Sequence, residues 1–293
     1  MELQSRVKEL RDKGLGLAVI SYDRPEILAA FGAQRGITFP LLSDAGSATI
    51  KRYGILNPVP EWAIGPDKDD PAVKAEVQKY VSVVNPNASM VGIAFPGTFI
   101  LDRQGRVTSR HFEDFYIERN TISSIMMRLS DRVGAVAGTK VSTGHIEITT
   151  YPSEPAIAPG NRFSLALDVQ PHAGMHVYAP GAKSYRVIAL TIAPQPFVRT
   201  LPMKYPASQI YNFKPLNERV PVFQKPFTLV QEVILEGTPQ AQAAFRGKGA
   251  VTLTGTLEYQ ACDDKICYNP ESVPLSWTLN LRPLVFERPS PPK

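Results

Sequence analysis

The two cysteines of this 293-residue chain stand close together, in the stretch YQACDDKICYNP at residues 259–270. Cys262 and Cys267 are separated by four residues, the first two of which are aspartates. Thiols at this spacing can close a structural disulfide, ligate a metal, or cycle between a dithiol and a disulfide during electron transfer. Most of what the sequence indicates about function depends on which of these roles the pair has.

The residues that lead into the first cysteine have the pattern of a β-strand. In VTLTGTLEYQAC, residues 251–262, the apolar side chains share one face by period two, and Cys262 falls on the opposite, polar face. We therefore expect Cys262 to point to the accessible side at the end of the strand. DDKI is then a short connection, and Cys267 begins the return strand. Directly opposed residues of an antiparallel pair have Cα atoms about 4.5–5.5 Å apart, which is within disulfide range.

The three possible roles of the cysteines differ in how well they suit so short a loop. A disulfide that closes it would contribute only about 2 kcal/mol on the chain-entropy model. Structural zinc takes about four ligands, and no second pair of thiols exists in the chain. The sequence therefore favours a redox-active pair and leaves a structural disulfide, a metal site or unpaired thiols as alternatives. We predict no metal and no cofactor.

The charged residues between the cysteines can be interpreted in two ways. Asp263 and Asp264 are typical turn residues, which is the interpretation we favour. Alternatively, their negative charges act on the neighbouring thiols, whose pKa they would raise, while Lys265 acts in the opposite direction.

The four histidines carry a weaker signal. His172 and His176, in PHAGMH, have the i, i+4 spacing of a metal pair on a helix. This segment is predicted to be strand and turn, so a packing role for His176 is favoured over metal binding. We assign no function to His111 or His145.

Composition limits the class of protein. The chain is 43% hydrophobic and 20% charged, and its net charge of +5 is spread along the sequence without a Lys/Arg block, so nucleic-acid binding is not expected. No apolar run approaches the roughly 18–20 residues that a membrane helix needs. MELQSRVKEL has the pattern of an amphipathic helix and not of a signal peptide, so an export signal, if there is one, lies outside this chain.

The first half of the chain alternates predicted strands and helices, which indicates a layered α/β domain. Strands are expected at 15–22 and 39–44, and a hairpin turns at 102–105. Helices are expected from Leu3 to Gly14, from Asp23 to Gly36, at 47–53, at 70–84 and at 118–136. The stretch around Trp62 is expected to be an insertion-like loop.

After residue 150 prolines become frequent and helical periodicity disappears. GAVAGTKVSTG, residues 134–144, is a plausible linker, and the alternating segments that follow it are typical of an all-β sandwich. We predict domains at 1–138 and 139–288.

The first half resembles the redoxin (AhpC/TSA) branch of the thioredoxin-like superfamily in GLAVISYD, FPLLSD and FPGTFILDRQGRV. The resemblance covers about residues 1–135 and implies a thioredoxin-like fold that lacks its first strand and cysteine turn. We expect the chain to be an N-terminally shortened version of a longer protein. A peroxidase or thioredoxin reaction needs a thiolate, and no cysteine precedes Cys262. Pro96 stands where many such proteins carry a cis-proline, but most X–Pro bonds are trans, so an ordinary proline before a strand is the interpretation we favour.

The second half, from about residue 145 to 282, is similar to the N-terminal domain of DsbD-type thiol:disulfide interchange proteins. LEYQACDDKICYNPESVPLSW carries the resemblance, with GMHVYAPG in support. It implies an immunoglobulin-like sandwich in which Cys262 and Cys267 exchange electrons with partner disulfides. It also implies that Tyr178 lines the site and that an aromatic residue caps the disulfide, for which Tyr211 or Phe213 is the counterpart. Tyr268, beside Cys267, has the position of a strand aromatic, and shielding of the disulfide is its alternative role. The best-known family members have five residues between the cysteines and an acidic residue in the cap loop; this chain has four, and SQIYNF contains no acidic residue.

Together these features predict a two-domain thiol-disulfide oxidoreductase: an incomplete α/β thioredoxin-like domain followed by an all-β immunoglobulin-like sandwich. Its expected partners are redox proteins with a disulfide or a dithiol, and its expected location is periplasmic or otherwise extracytoplasmic. Two alternatives remain open. One is a peroxiredoxin- or thioredoxin-like reductase whose catalytic cysteine lies upstream. The other is a non-catalytic β-sandwich interaction module with an inert disulfide.

Overall fold

The computed structural model of the chain describes residues 2–81, 84–113, 118–128, 137–213 and 218–283. The chain divides into two compact units. The first contains the described residues of 1–122 together with 237–240. The second contains those of 123–236 and 241–283.

The helices are short and lie mainly in the first unit. They are α1 (Glu2–Ser5), α2 (Val7–Asp12), α3 (Pro25–Arg35), α4 (Ala48–Arg52), α5 (Val59–Ile64), α6 (Pro71–Val81), a 3₁₀ turn (Ala88–Met90), α7 (Ile122–Arg128) and α8 (Pro239–Phe245).

The strands of the first part of the chain are β1 (Val19–Ser21), β2 (Leu41–Ser43), β3 (Gly97–Leu101), β4 (Val107–Phe112) and β5 (Arg119–Asn120). Those that follow are β6 (Thr139–Ser142), β7 (Ile146–Pro152), β8 (Ala156–Ile157), β9 (Asn161–Pro171), β10 (His176–Tyr178), β11 (Ala189–Ile192), β12 (Val198–Thr200), β13 (Gln209–Phe213), β14 (Glu218–Phe223), β15 (Phe227–Leu235), β16 (Ala250–Tyr259), β17 (Ala261–Cys262) and β18 (Glu271–Leu281).

Within the first unit, β1 pairs with β2 in parallel and β3 pairs with β4 in antiparallel fashion, in two separate sheets. Helix α3 connects the parallel pair, as a parallel connection requires. It begins with Pro25 at its first turn and ends at Gly36, whose left-handed φ of 60° is a conformation that glycine adopts without strain.

Four expectations about local structure need correction. The predicted first helix is broken into α1 and α2, and the predicted loop around Trp62 contains helix α5. The predicted helix at 118–136 begins later, at Ile122 of α7, because Arg119–Asn120 form β5; residues 129–136 lie outside the described ranges. The predicted linker at 134–144 contains β6, which pairs with β7 and packs Val141 against the core. Pairing with a neighbouring strand satisfies the backbone groups of a segment whose composition alone indicates a loop.

The second unit consists mainly of antiparallel strands. Its described strands form sheets in the orders β12-β15-β9-β7-β6, β11-β16-β18-β8 and β13-β14-β10-β17. Long pairings support the first two, since β15 pairs with β9 and β16 with β18 along most of their lengths. The third sheet is smaller and carries the cysteines.

The core of the second unit is one continuous apolar cluster contributed by strands of all three sheets. Its fully buried members include Phe163, Leu165, Leu167, Leu229 and Tyr259. Burying a side chain of this size contributes about 1.5–3 kcal/mol. The core thus provides the rigid support on which the smaller cysteine-bearing sheet is built.

Candidate functional site

Cys262 and Cys267 form a disulfide and lie directly opposite each other as an isolated antiparallel bridge, with Cα atoms 4.1 Å apart. The expectation that the short loop would bring them into opposition is confirmed. The loop is closed by its own backbone, since the amide of Asp263 donates to the carbonyl of Ile266 at 3.0 Å.

Asp263 holds the turn between the cysteines. Its Oδ1 accepts hydrogen bonds from the amides of Lys265 at 2.7 Å and Ile266 at 2.8 Å. These bonds, with that of Ile266 the larger, lower the pKa of the Asp263 carboxyl below its ordinary value. The side chain therefore acts as the turn residue that the sequence favours.

The two cysteine residues differ in exposure. Cys262 is only 1% exposed, whereas Cys267 is an exposed residue. The prediction that Cys262 faces the accessible side is wrong. Strand β16 ends at Tyr259, Gln260 lies outside both strands, and β17 then pairs with β10 instead of β18. The alternation of inward and outward residues does not continue across this break, and both residues of β17 are buried.

The hydroxyl of Tyr178 contacts both sulfurs. It lies 2.9 Å from Cys262 Sγ and 3.3 Å from Cys267 Sγ. Burial, the largest cause, raises the pKa of Tyr178 far above its ordinary value, so the phenol stays protonated and can donate. Tyr178, Val220 and Val222 pack with Cys262 in an apolar cluster, which Ala182, Tyr185 and Tyr211 border.

The ring of Tyr185 stacks on the ring of Tyr178. The two ring centroids are 4.0 Å apart, and the Tyr185 hydroxyl donates to Glu218 Oε2 at 2.6 Å. This bond fixes the Tyr185 ring and through it the orientation of the Tyr178 hydroxyl. Sequence reasoning did not identify Tyr185, although it lies in the same stretch as Tyr178.

The two aromatic residues predicted as a cap, Tyr211 and Phe213, lie on strand β13. Tyr211 borders the cysteine cluster, and its hydroxyl donates to Asp264 Oδ1 at 2.6 Å. This bond is the main reason why the pKa of Tyr211 rises to about 12. The Phe213 ring contacts Tyr211, with centroids 6.4 Å apart. Asp264 thus connects the cysteine loop to β13, a contact that simple turn chemistry does not explain.

His176 is buried beside the disulfide. It stands directly across from Cys262 in the pairing of β10 with β17 and is 1% exposed. Its ring centroid lies 4.4 Å from that of Tyr211 and 5.6 Å from that of Tyr178. Among the described residues, its Nδ1 is the buried side-chain polar atom that has no hydrogen-bond partner.

Tyr268 lies on the other side of the cysteine loop, in a polar network. Its hydroxyl donates to Asp263 Oδ2 at 3.0 Å, and its ring lies 4.2 Å from that of His145. His145 Nδ1 is 2.5 Å from Glu271 Oε1, and Tyr259 donates to Glu271 Oε2 at 2.9 Å. His145 and Glu271 are far apart in sequence, so no local pattern could have indicated this pair.

The remaining candidates lie elsewhere. No described peptide bond is cis, so the cis-proline interpretation of Pro96 is wrong, and it stands as an ordinary proline directly before β3. His172 lies in a turn, with Nδ1 3.2 Å from the carbonyl oxygen of Gly144.

Within the described ranges no group of three or more His, Cys, Asp and Glu side chains could hold a metal ion. No described helix has the length and apolar character that a membrane span requires.

Two families match the chain, one in each half. Residues 1–110 match the AhpC/TSA family, and residues 149–275 match the family described as thiol:disulfide interchange protein DsbD, N-terminal. The chain therefore combines a redoxin-like domain with a DsbD N-terminal-like domain, as the sequence indicates. With a disulfide-bonded cysteine pair in the second of them, these domains point to thiol–disulfide chemistry.

Solved structures to which the chain is similar include the N-terminal periplasmic domain of ScsB from Proteus mirabilis, at 15% identity and a TM-score of 0.32. That match covers 50% of this chain and 51% of the ScsB chain. The DsbD N-terminal domain of Neisseria meningitidis, in the reduced form, matches at 13% identity and a TM-score of 0.27, over 40% of this chain and 78% of its own. The SrpA adhesin from Streptococcus sanguinis matches at 14% identity and a TM-score of 0.24, over 49% of this chain and 59% of its own. No curated protein is significantly similar in sequence.

Proposed function

We propose that this protein exchanges electrons with partner proteins by thiol–disulfide exchange at Cys262 and Cys267. The observation that carries the proposal is the arrangement of the pair, in which an exposed cysteine is joined to a buried cysteine and a tyrosine hydroxyl contacts both sulfurs. An exchange protein needs one sulfur that a partner can reach and another that is held in place to resolve the mixed disulfide.

We propose roles for the two cysteines on the basis of their different exposure. A partner thiolate attacks Cys267 Sγ, the bond between Cys262 and Cys267 breaks, and its electron pair stays on Cys262 as a thiolate. A second partner thiolate then attacks the partner sulfur of the mixed disulfide and releases Cys267. The partner dithiol is oxidised and the cysteine pair is reduced, and in the reverse direction the same steps reduce a partner disulfide. Tyr178, 2.9 Å from Cys262 Sγ, donates to the thiolate as it forms.

The environment of the pair extends this assignment. Tyr178 lines the site, and Tyr211 is the cap, because it borders the cysteine cluster while Phe213 contacts it only through Tyr211. Tyr268 shields the outer side of the loop through its bond to Asp263.

We further propose that residues 139–288 form an immunoglobulin-like sandwich and residues 1–138 a thioredoxin-like domain without its first strand and cysteine turn. The location we propose is extracytoplasmic, where disulfide exchange operates.

The reduction potential of the pair tests the proposal. The full chain is equilibrated in glutathione buffers, and free thiols are counted by mass spectrometry after alkylation. A midpoint between about −120 and −270 mV, the range of known exchange proteins, supports exchange. A potential below about −300 mV indicates an inert structural bridge and refutes it.

Single cysteine variants test which sulfur meets the partner. Cys262→Ser leaves the exposed sulfur and should form a stable mixed disulfide with glutathione at a rate similar to that of other surface thiols. Cys267→Ser leaves only the buried sulfur and should react at least tenfold more slowly. Equal rates for the two variants would contradict the proposed roles of the two cysteines. The exchange function itself would then be decided by the reduction potential of the pair.

A further inference from the structure

The buried imidazole beside the disulfide has no role in the exchange steps described above. His176 is the cross-strand neighbour of Cys262, and directly opposed residues have Cβ atoms about 4.5–5.5 Å apart on the same face of a sheet. Both side chains are 1% exposed, so water does not separate them from the apolar cluster around Tyr178. An unpartnered buried nitrogen costs free energy in the disulfide form, so a function in another redox state would account for its presence.

The reduced state creates a need for a proton acceptor at this position. When a partner is attached to Cys267, Cys262 must lose its proton before it can attack. Burial in apolar surroundings disfavours the charged thiolate, so a neighbouring base would assist the loss of this proton in addition to the hydrogen bond that the Tyr178 hydroxyl donates.

The other titratable groups around His176 are poorly suited to be that base. The phenols of Tyr178 and Tyr211 have raised pKa values and stay protonated. Asp263 accepts hydrogen bonds from the turn amides and its pKa is lowered, and Asp264 accepts a hydrogen bond from the Tyr211 hydroxyl. In the part of the chain that the structure describes, the titratable groups that face this cluster from the surrounding elements are Tyr178, Tyr185, Tyr211, Glu218, Asp263, Asp264 and Cys267.

We propose that His176 is the general base for Cys262 in the exchange reaction, an inference that rests on the proposed function of the pair. In the mixed disulfide, Cys262 Sγ–H gives its proton to the imidazole of its cross-strand neighbour His176, and Cys262 Sγ attacks Cys267 Sγ. The Cys262–Cys267 bond forms, the bond from Cys267 to the partner breaks, and its electron pair leaves on the partner sulfur as a thiolate. The cysteine pair is oxidised, the partner is reduced, and the imidazolium passes its proton to solvent or to the departing thiolate.

The charge around the imidazole suits this task. Burial, the largest cause, lowers the pKa of His176 in the disulfide form, while the carboxylates of Asp264 and Asp263 act to raise it. The imidazole is therefore neutral when the cycle starts and can accept a proton. A thiolate that forms on Cys262 adds a further negative charge and stabilises the imidazolium, so proton transfer and sulfur attack favour each other.

Stopped-flow kinetics with Ellman's reagent separate the two chemical steps. The reduced full chain is mixed with one equivalent of the reagent, which releases one coloured thiolate when Cys267 attacks and a second when Cys262 resolves the mixed disulfide. We expect His176→Gln and His176→Phe to slow the second, first-order release about 100-fold at pH 7, a typical contribution of general-base catalysis. The first release should stay within twofold of the wild-type rate.

The pH profile distinguishes a base from a packing residue. The second release in the wild-type protein should rise with pH as His176 loses its proton and then level off, whereas both variants should accelerate only towards the higher pKa of the unassisted thiol. His172→Gln, which changes a histidine of the neighbouring turn, serves as the control and should behave like the wild type. A second release within threefold of the wild-type rate, with an unchanged pH profile in both variants, would overturn the proposal.

A measurement on the unmodified protein remains informative if the variants do not fold. The imidazole resonances of His176, followed by NMR, should titrate at a higher pH in the reduced protein than in the disulfide form. Identical titrations in the two states would refute the role of His176. If instead the wild-type protein itself gives no second release, the failure lies with the proposed exchange function and not with the histidine.

Discussion

Removal of one hydroxyl group tests how the protein sets the redox properties of its cysteines. In Tyr178→Phe the ring that packs with Val220 and Val222 is kept, and only the donor to the sulfurs is lost. The variant should make the reduction potential of the pair more negative. The sign follows because the lost hydrogen bond favours the reduced form more than the oxidised form.

The magnitude can be estimated from the two states of the sulfur. A hydrogen bond to a charged group is worth about 1.5–3 kcal/mol, whereas a bond between neutral groups is worth about 0.5–1.5 kcal/mol. The hydroxyl therefore favours a Cys262 thiolate over the disulfide by about 1–1.5 kcal/mol. For a two-electron couple, 30 mV corresponds to about 1.4 kcal/mol, so the expected shift is about 20–30 mV towards more negative potential.

The assay is the glutathione equilibrium applied to the wild-type and variant chains side by side. Tyr205→Phe is the matched control, because Tyr205 is a half-buried tyrosine that packs against the main core of the second unit and is not among the residues around the cysteines. Its potential should equal that of the wild type. An unchanged potential in Tyr178→Phe, or a shift in the positive direction, would refute the argument that this hydroxyl stabilises a thiolate.

Two further predictions concern charged groups of the second unit. Glu232→Gln should lower the free energy of unfolding by about 3 kcal/mol in urea titrations, because it breaks a bidentate pair with Arg162 in which both side chains are largely buried. Glu258→Gln, which removes the exposed partner of Arg186, should cost less than about 1 kcal/mol; equal losses would contradict the role of burial. The pKa of Asp263 is lower in the folded protein than in the unfolded chain, so its carboxylate stabilises the cysteine turn fully at pH values above the ordinary aspartate pKa of about 4. That stabilisation is lost as the pH falls through the lower pKa of the folded form. The amide of Ile266 should therefore lose protection from hydrogen exchange on acidification in the wild type but not in Asp263→Asn, and parallel behaviour of the two proteins would count against this.

The part of the site that the sequence predicted is the part that short-range geometry determines. A loop of four residues between two strand ends brings Cys262 and Cys267 into opposition whatever surrounds them. Tyr178 could be named because the resemblance to a known family indicates an aromatic residue at that point. Neither inference needs knowledge of how the sheets pack.

The burial of Cys262 could not be predicted because it depends on distant parts of the chain. The strand that covers one side, β10, precedes it by more than eighty residues, and β14 adds Val220 and Val222. The rule of alternating faces holds only while a strand stays in one sheet, and here the chain changes partners at Gln260. The pairing of His145 with Glu271 eluded prediction for the same reason.

The position of the Tyr178 hydroxyl argues for exchange over a structural staple. A disulfide is a neutral and weak hydrogen-bond acceptor, so a donor placed 2.9 Å from its buried sulfur contributes little to a bridge that never opens. The same donor contributes roughly twice as much once that sulfur carries a negative charge. A bridge that only closed the Cys262–Cys267 loop would also have no use for a buried imidazole across the sheet. The polar groups around the pair are thus better explained by the chemistry of the reduced state than by the stability of the oxidised one.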